Sequence, residues 1–440
     1  MKFYNRKQEL QELSKLCNQA KDTARMAVIT GRRRVGKTML ALELAGKHKF
    51  IYLFVSKKAE HLLCMEYIDE IKKHFTVPVL GDIKYFKDIF ALLLELSKQE
   101  QFIVIIDEFQ EFYNINPAVY SEIQRLWDLN KSKCKMNLIC IGSVYSLMHK
   151  IFEESKEPLF GRSDRILFLK PFTIKDTYRV LSDHGADDMK SLFDCYVFTG
   201  GMPKYLDILT SNSALSRKDI LNFMLTPNSP FINEGRNLLI EEFGKEYGTY
   251  FSILELISIG KTARTEIESV LEIHAGAYLA RLENDYALLS RHKPFGARPG
   301  SRLQKYKITD NFLNFWFRFI FRNRSAAETE NFSYIKEIIN RDYSSYSGRM
   351  LERFFHQLIA ETGNYNVIGS YWEKGNQNEI DLVAINDLKK EITLADIKLD
   401  RRKINLNALK ERAQGLLNKY SGYKVKWLGL SLEEVKDYLK

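Results

Sequence analysis

The sequence has few cysteines, none of them closely spaced, and it has no long apolar segment. Its five cysteines lie far apart without a CxxC pair, which argues against a zinc site or a disulfide framework and fits a reducing cytoplasm. No stretch of about 18 apolar residues occurs, and residues 1–16 lack the apolar core of a signal peptide. The aromatic stretch 311–324 is too short and too rich in arginine to span a bilayer. We therefore expect a cytoplasmic protein without a membrane partner, with this stretch as a core helix.

What the sequence does have is length and positive charge. A chain of 440 residues exceeds what one hydrophobic core normally supports, so we expect about two to four domains. The net charge of +10 at pH 7 favours an anionic partner such as nucleic acid. Basic proteins without such a partner are common, so the charge alone does not decide the function.

A phosphate-binding loop follows the first apolar run. Residues 25–44 have the order strand, glycine-bounded loop and helix, and the loop matches the pattern GxxxxGK[ST]. Glycines let backbone N–H groups approach phosphates, Lys37 reaches the β- and γ-phosphates, and Thr38 supplies a hydroxyl to Mg²⁺. The sequence therefore predicts ATP and Mg²⁺ as cofactors. The predicted nucleotide-binding residues of this segment are Gly31, Arg32, Arg33, Arg34, Val35, Gly36, Lys37, Thr38 and Met39.

A second apolar run, FIVIIDEFQEF over residues 102–112, ends in two acidic residues. Consecutive β-branched residues are typical of a buried parallel strand, and such strands carry their chemistry at the carboxyl end. Asp107 is predicted to hold Mg²⁺ through water, and Glu108 to polarise the water that attacks the γ-phosphate. The alternative is a pair of solvated acids that close a strand.

Two further segments supply candidates for the same site. A third strand over residues 136–147 brings Ser143 to its end, where a small polar side chain can sense the γ-phosphate or orient the water. Arg162 and Arg165 precede another apolar strand, and Arg162 is the predicted arginine that neutralises transition-state charge, in its own subunit or across an interface. Either arginine can instead be a surface charge, and the sequence leaves both readings open.

These segments together carry a resemblance. With FYNRKQELQEL at 3–13, the GRRRVGKT loop, the IIDEFQ strand, LFGRSDR and TGGMPKYL at 199–206, the first half of the chain resembles the archaeal-type P-loop ATPases. That family has an additional strand and a catalytic glutamate, and it is related to the AAA and STAND groups. The resemblance implies that Asn5 and Arg6 lie by the nucleotide base, and that Pro203 belongs to a helical lid.

The middle of the chain has the pattern of a winged helix-turn-helix. Three helical patterns are followed by two extended segments around a loop rich in glycine and proline. The third helix offers Arg281 but also acidic residues, so it is poorly suited to phosphate. We expect the hairpin to contact a DNA backbone instead, although a protein spacer is an open alternative. The cations of the hairpin are Arg291, Lys293, Arg298, Arg302 and Lys305.

Acidic residues recur near the end of the chain. Glu352 lies on an amphipathic helix, Asp381 on one predicted strand, and Asp396 with Lys398 on the next. Fifteen positions separate the two aspartates, which suits adjacent antiparallel strands joined by a polar turn. The three carboxylates can converge on Mg²⁺ or Mn²⁺, while the Lys398 ammonium steers water or stabilises a pentacovalent phosphate.

This last arrangement resembles the PD-(D/E)xK nuclease fold, which often ends archaeal-type ATPases. We thus expect an α/β protein with four domains: a P-loop αβα sandwich (1–170), a helical lid (171–244), a winged helix (245–325) and a nuclease-like mixed α/β end module (326–440). The predicted function is ATP hydrolysis coupled to DNA binding or metal-dependent DNA cleavage. The alternative is an ATP-controlled switch or scaffold whose end module binds without cutting. A homo-oligomer is a further expectation.

Overall fold

The computed structural model describes residues 2–77, 81–243, 247–298, 300–301 and 303–439. They form two compact units, Lys2–Lys170 and Pro171–Lys440. No helix in these ranges is long and apolar enough to cross a membrane. The division into four domains stays a prediction.

The N-terminal unit is built on parallel strands. Within its described residues, five strands pair in the order β2-β3-β4-β1-β5, all parallel. The strands are β1 (Arg25–Gly31), β2 (Phe50–Phe54), β3 (Phe102–Asp107), β4 (Met136–Ile141) and β5 (Arg165–Leu169). The helices are α1 (Lys7–Gln19), α2 (Lys37–Ala45), α3 (Glu60–His74), α4 (Phe86–Gln99), α5 (Phe112–Ile115), α6 (Ala118–Asn130) and α7 (Tyr145–Glu153).

Helices cover both faces of this sheet. Strands β3 and β4 are buried along their whole length, as expected of a parallel sheet with two covered faces. Successive side chains of a strand point to opposite faces. Val28 joins the apolar core that includes residues of α3, α4 and α6, whereas its neighbour Ile29 points to the other face. Helix α2 contacts β1, β3 and β4. The result is the predicted three-layered sandwich, with the carboxyl ends of the strands at one edge.

The C-terminal unit begins with helices and then a hairpin. Helices α8 to α12 span Ile174–Ser182, Met189–Thr199, Pro203–Ser211, Arg217–Met224 and Pro230–Phe243. Helices α13 to α15 span Tyr247–Ser258, Arg264–Leu271 and Gly276–Asn284, and the hairpin consists of β6 (Leu289–His292) and β7 (Lys305–Ile308). β6 and β7 pair antiparallel. This order of three helices and a hairpin is the predicted one, and its assignment as a winged helix stays a prediction.

The end of the chain is a mixed sheet with helices. Helices α16 (Asn311–Phe315), α17 (Arg324–Glu328) and α18 (Phe332–Glu361) precede β8 (Val367–Tyr371), β9 (Ile380–Asn386) and β10 (Glu391–Ile397). Helix α19 (Leu406–Leu417), β11 (Lys424–Leu430) and α20 (Val435–Leu439) follow. In the part of the chain that is described, the strand order is β11-β10-β9-β8. β9 pairs antiparallel with β8 and with β10, and its pairing with β10 confirms the prediction. β10 and β11 are parallel, because α19 supplies the crossover.

The tip of the hairpin is anchored in the end module. Phe295, just after β6, is buried in an apolar cluster with Tyr371, Ile380 and Leu409. Its backbone N–H donates to the carbonyl of Ser370 at 2.8 Å. Burial of an aromatic side chain thus holds the tip of the hairpin on the sheet of the end module.

Candidate active sites

The phosphate-binding loop connects β1 to α2. Gly31 has φ 142° and Gly36 has φ 91°, backbone conformations that residues with a side chain rarely adopt. A Cβ at Gly31 would also lie 2.6 Å from the carbonyl oxygen of Leu169 on β5. Both glycines of the pattern are therefore required by the backbone itself. α2 begins at Lys37, directly behind the loop, so its positive end faces the loop.

The Lys37 side chain folds back over the loop. Its Nζ donates to the carbonyls of Gly31 at 2.9 Å and Arg32 at 3.0 Å, and the side chain is buried. An ammonium held at the centre of the loop is where a lysine must be to contact the β- and γ-phosphates. The contact of Lys37 with the phosphates of a nucleotide stays a prediction.

Asp107 and Thr38, both predicted to serve Mg²⁺, lie in direct contact. The Thr38 hydroxyl donates to Asp107 Oδ2 at 2.7 Å, and Tyr52 on β2 donates to the same oxygen at 2.8 Å. Burial raises the pKa of the Tyr52 hydroxyl, and the neighbouring Asp107 carboxylate raises it further. Hydroxyl and carboxylate oxygens are the ligands that Mg²⁺ prefers. The pair therefore fits a Mg²⁺ ion at the start of α2.

Glu108 is held at the end of β3 in an unusual backbone conformation. Its φ of 54° is left-handed, which is uncommon for a residue with a side chain. The Ser143 hydroxyl donates to its carboxylate at 2.7 Å, and Gln110 Nε2 donates at 2.5 Å. Arg33 Nε contacts the Ser143 hydroxyl at 3.5 Å, which links the carboxylate to the phosphate-binding loop. The structure thus brings Glu108 and Ser143 together, and their roles in hydrolysis stay predictions.

Arg162 is engaged elsewhere. Its guanidinium forms a two-pronged ion pair with Asp128 on α6, with Nη2 to Oδ2 at 2.8 Å and Nε to Oδ1 at 3.2 Å. Its other partner within the described residues is the carbonyl of Phe160. None of these groups belongs to the phosphate-binding loop. A catalytic role for Arg162 stays a prediction, and it requires release from Asp128.

Other residues that were predicted to contact the nucleotide differ in their burial and in the unit to which they belong. Arg6 is buried, and its Nη2 donates to the carbonyls of Val35 at 3.3 Å and Lys170 at 2.7 Å, so it braces the loop. Asn5 precedes it with φ 53°, and Met39 on α2 is exposed. Pro203 begins α10 in the other unit. Contacts of these residues with nucleotide stay predictions.

Sequence reasoning missed two polar residues at this site. Tyr52 lies in the middle of the apolar run FIYLF, where a phenolic hydroxyl was the only sign of a polar partner. Gln110 lies two residues beyond Glu108 in the IIDEFQ stretch, and it is completely buried. A Cβ at Gly142 would lie 2.6 Å from Gln110 Oε1, so the small residue after β4 makes room for this amide.

The end module brings Asp381, Asp396 and Lys398 together. In the register of β9 and β10, Leu382 pairs with Ala395, so the two aspartates occupy the next opposed positions. Lys398 Nζ lies 2.9 Å from Asp381 Oδ2 and 3.1 Å from Asp396 Oδ1. Although burial opposes it, the charge of Asp381 holds the pKa of Lys398 above its usual value. Both aspartates are buried.

Asp396 has further donors around it. Arg412 Nη2 on α19 lies 3.1 Å from its Oδ1, and the Asn405 amide donates to Oδ2 at 3.0 Å. Although burial opposes it, the Asn405 amide and Lys398 hold the pKa of Asp396 below its usual value. Arg412 was not singled out from the sequence, since a lone arginine on a helix is usually solvated.

Glu352 approaches the same site from α18. Burial raises its pKa to about 7, and the negative charge of Asp381 contributes in the same direction. Carboxylates that crowd together in this way are suited to a divalent cation. Among the described residues, however, no three potential ligand side chains form a group that holds a metal ion. Glu352, Asp381 and Asp396 as joint metal ligands therefore stay a prediction.

The cations of the hairpin are partly committed to the protein. Arg291 pairs with Glu283 on α15 at 3.2 Å. Lys305 pairs with Glu379 at 3.4 Å, and its ammonium lies 4.6 Å from the ring centre of Trp372. Arg302 lies outside the described residues. The hairpin is therefore less available to DNA than its composition suggested.

Comparisons with known proteins agree with the geometry of the N-terminal unit. Residues 3–209 match a family described as ATPase domains predominantly from Archaea, and residues 316–412 match one of archaeal and bacterial proteins of unknown function. The uncharacterized protein MJECL04 of Methanocaldococcus jannaschii is 30% identical over 405 residues, which cover 90% of this chain and 87% of that protein.

Two solved structures have a similar fold. The Walker-type ATPase PABY2304 of Pyrococcus abyssi has a TM-score of 0.54 at 16% identity, and the match covers 72% of this chain and 96% of that one. The ORC2 protein of Aeropyrum pernix, solved in ADPNP and ADP complexes, has a TM-score of 0.50 at 13% identity, with 74% and 94% covered. At these identities the likeness concerns the fold.

Proposed function

This chain belongs to the archaeal-type P-loop ATPase family, and we propose that its ATPase activity controls DNA binding and metal-dependent DNA cleavage by the end module. ATP binding and hydrolysis follow from the family. The observation that carries the DNA reaction is the clustering of Asp381, Asp396 and Lys398 across β9 and β10, with Glu352 approaching from α18.

Each polar group of the phosphate-binding site has a role in hydrolysis. Lys37 would neutralise charge on the β- and γ-phosphates, and Thr38 with Asp107 would hold Mg²⁺. Glu108 orients and polarises the attacking water, while Ser143 and Gln110 fix the direction of its carboxylate. Arg162 contributes charge from its own subunit or, in a homo-oligomer, from a neighbouring one.

The end module has the carboxylates and cations that phosphodiester hydrolysis requires. Glu352, Asp381 and Asp396 would hold Mg²⁺ or Mn²⁺, and such an ion supplies an activated water and charge stabilisation when bound. Lys398 contacts both aspartates, so its ammonium is positioned to balance negative charge on a phosphate that reaches them. Arg412 reinforces that positive charge from α19.

The test is cleavage of labelled linear, nicked and branched DNA with Mg²⁺ or Mn²⁺, with and without ATP. Wild type is compared with Lys37→Ala and Asp381→Ala. Cleavage that is lost in Asp381→Ala, with ATP turnover intact, supports the proposal, and an altered rate in Lys37→Ala supports control by ATP. Equal cleavage by Asp381→Ala and wild type would contradict it.

A switch or scaffold is the second candidate function. It is favoured by the engagement of Asp396, whose two oxygens already accept from Lys398, Arg412 and the Asn405 amide. An end module with this charge balance can bind phosphate without cutting. Intact ATP turnover, together with DNA binding and no cleavage of any substrate, would support this alternative.

A further inference from the structure

The two strands of the hairpin present a polar face and a packed face. The register pairs Ser290 with Lys307 and His292 with Lys305, so these four side chains share one face. On the opposite face, Arg291 pairs with Glu283 of α15 and Tyr306 is buried. The face that carries two lysines is therefore not the one that packs on the preceding helices.

The charges that act on Lys307 and His292 identify the residues that lie close to the polar face of the hairpin. Burial lowers the pKa of Lys307, and the carboxylate of Glu352 acts in the opposite direction. Burial also lowers the pKa of His292 to about 4, and the charges of Lys307, His356 and Arg353 add to the effect. Lys305 reaches Glu379 directly at 3.4 Å. The polar face of the hairpin therefore lies close to Glu352 of α18 and to Glu379, the residue before β9, and we call this polar region the recess.

Lys307 and Glu352 act on each other through their charges, but not through a direct contact among the described residues. Within the described part of the chain, neither the Lys307 ammonium nor the Glu352 carboxylate forms a hydrogen bond or an ion pair. The protein atoms packed around the Lys307 ammonium lower its pKa, but the residue keeps part of its surface accessible to solvent, whereas Lys305 and Lys398 are paired. Lysines that lie on such a face and are not committed to the protein are available to an anion.

We propose that Lys307 is a phosphate-binding residue of the end module's site, where it contacts the backbone of the nucleic-acid strand whose neighbouring phosphate lies at Asp381 and Lys398. The inference rests on the proposed function and deepens it, because the hairpin becomes part of the site. The physical reason is charge balance. Glu352, Glu379, Asp381 and Asp396 would repel a polyanion, and Lys307 on the hairpin offsets that repulsion.

The experiment measures binding of a fluorescein-labelled DNA duplex by fluorescence anisotropy in Ca²⁺ over a range of salt concentrations. Lys307→Gln is compared with Lys307→Arg, which keeps the charge, and with Lys426→Gln as a matched control. Lys426 lies on the outer strand β11 and pairs with Glu391. Loss of one phosphate contact should lower the salt slope by about one and weaken binding by about fivefold at 0.15 M salt.

The outcomes separate the inference from the proposed function. Weaker DNA binding by Lys307→Gln, with the affinities of Lys307→Arg and Lys426→Gln near that of wild type, supports the inference. DNA binding and cleavage by wild type, with affinity and salt slope unchanged in Lys307→Gln, overturns the inference and leaves the proposed function standing. Absence of any DNA binding by wild type overturns both. A loss in Lys307→Gln that Lys307→Arg does not restore indicates a structural role and also overturns it.

Discussion

At the scale of single residues, Glu108 combines a left-handed backbone with a carboxylate held from two sides. We predict that Glu108→Gln lowers ATP turnover by about 10²- to 10⁴-fold, because an amide cannot act as a general base. Nucleotide binding should persist, since Lys37 and Thr38 remain in place. Turnover under saturating ATP and binding of a fluorescent ATP analogue check the two parts separately. Turnover close to wild type would remove Glu108 from the mechanism.

Glu352 gives a prediction about pH. Its pKa is raised to about 7 from an ordinary value of 4.5, so the folded state retains a proton that the unfolded state releases. Stability should therefore fall as pH rises from about 4.5 to 7. Glu352→Gln should raise Tm by a few degrees at pH 8 and leave it unchanged near pH 4, in EDTA throughout. Glu337→Gln, on the exposed side of α18, is the control, and an equal effect of both variants would refute the prediction.

The residues that could be predicted are those with a role fixed by local pattern. Lys37, Thr38 and Asp107 follow from a loop and a strand end, because backbone geometry brings such positions to one edge of a parallel sheet. Tyr52 and Arg412 could not be found in this way. Their partners lie on other elements, and only the fold shows that a strand tyrosine reaches Asp107 and a helix arginine reaches Asp396.

At the scale of elements, the hairpin and the sheet of the end module share a core through Phe295. We predict that Phe295→Ala destabilises this region by about 3 kcal/mol, because it leaves a cavity where an aromatic ring was buried. Hydrogen exchange of β8 and β9 should accelerate, whereas β1 to β5 should be unaffected. Phe160→Ala, an exposed phenylalanine in the other unit, is the control. Unchanged exchange in β8 would show that the hairpin tip is not anchored there.

The order of elements was more predictable than their packing. Helical spacing and alternation indicated three helices, a hairpin, and antiparallel β9 and β10, and the pairing of these strands is confirmed. The docking of the hairpin was not predicted, because Phe295 sits in a segment rich in glycine and proline that has the composition of a surface loop. An isolated aromatic residue carries no information about which distant core it enters.

At the scale of the whole molecule, the division into two units allows the stabilisation by nucleotide to be measured separately in each unit. ATP at about 100 times its Kd should stabilise residues 2–170 by about 2.7 kcal/mol. Hydrogen exchange around β1 and α2 should slow with Mg²⁺ and a non-hydrolysable analogue. Lys37→Ala should remove most of this protection. Slower exchange in residues 171–440 as well would show that the units are coupled, whereas protection in Lys37→Ala equal to wild type would contradict the binding geometry.

The anchoring of Phe295 also has a consequence for biosynthesis. The residues that enclose this side chain extend to Leu416, so the ribosome completes its pocket about a hundred residues after the hairpin is made. At ordinary rates of translation the delay is on the order of ten seconds. During that time the nascent chain exposes an aromatic side chain with nothing to cover it. Packing of the hairpin tip therefore has to wait until α19 has been synthesised.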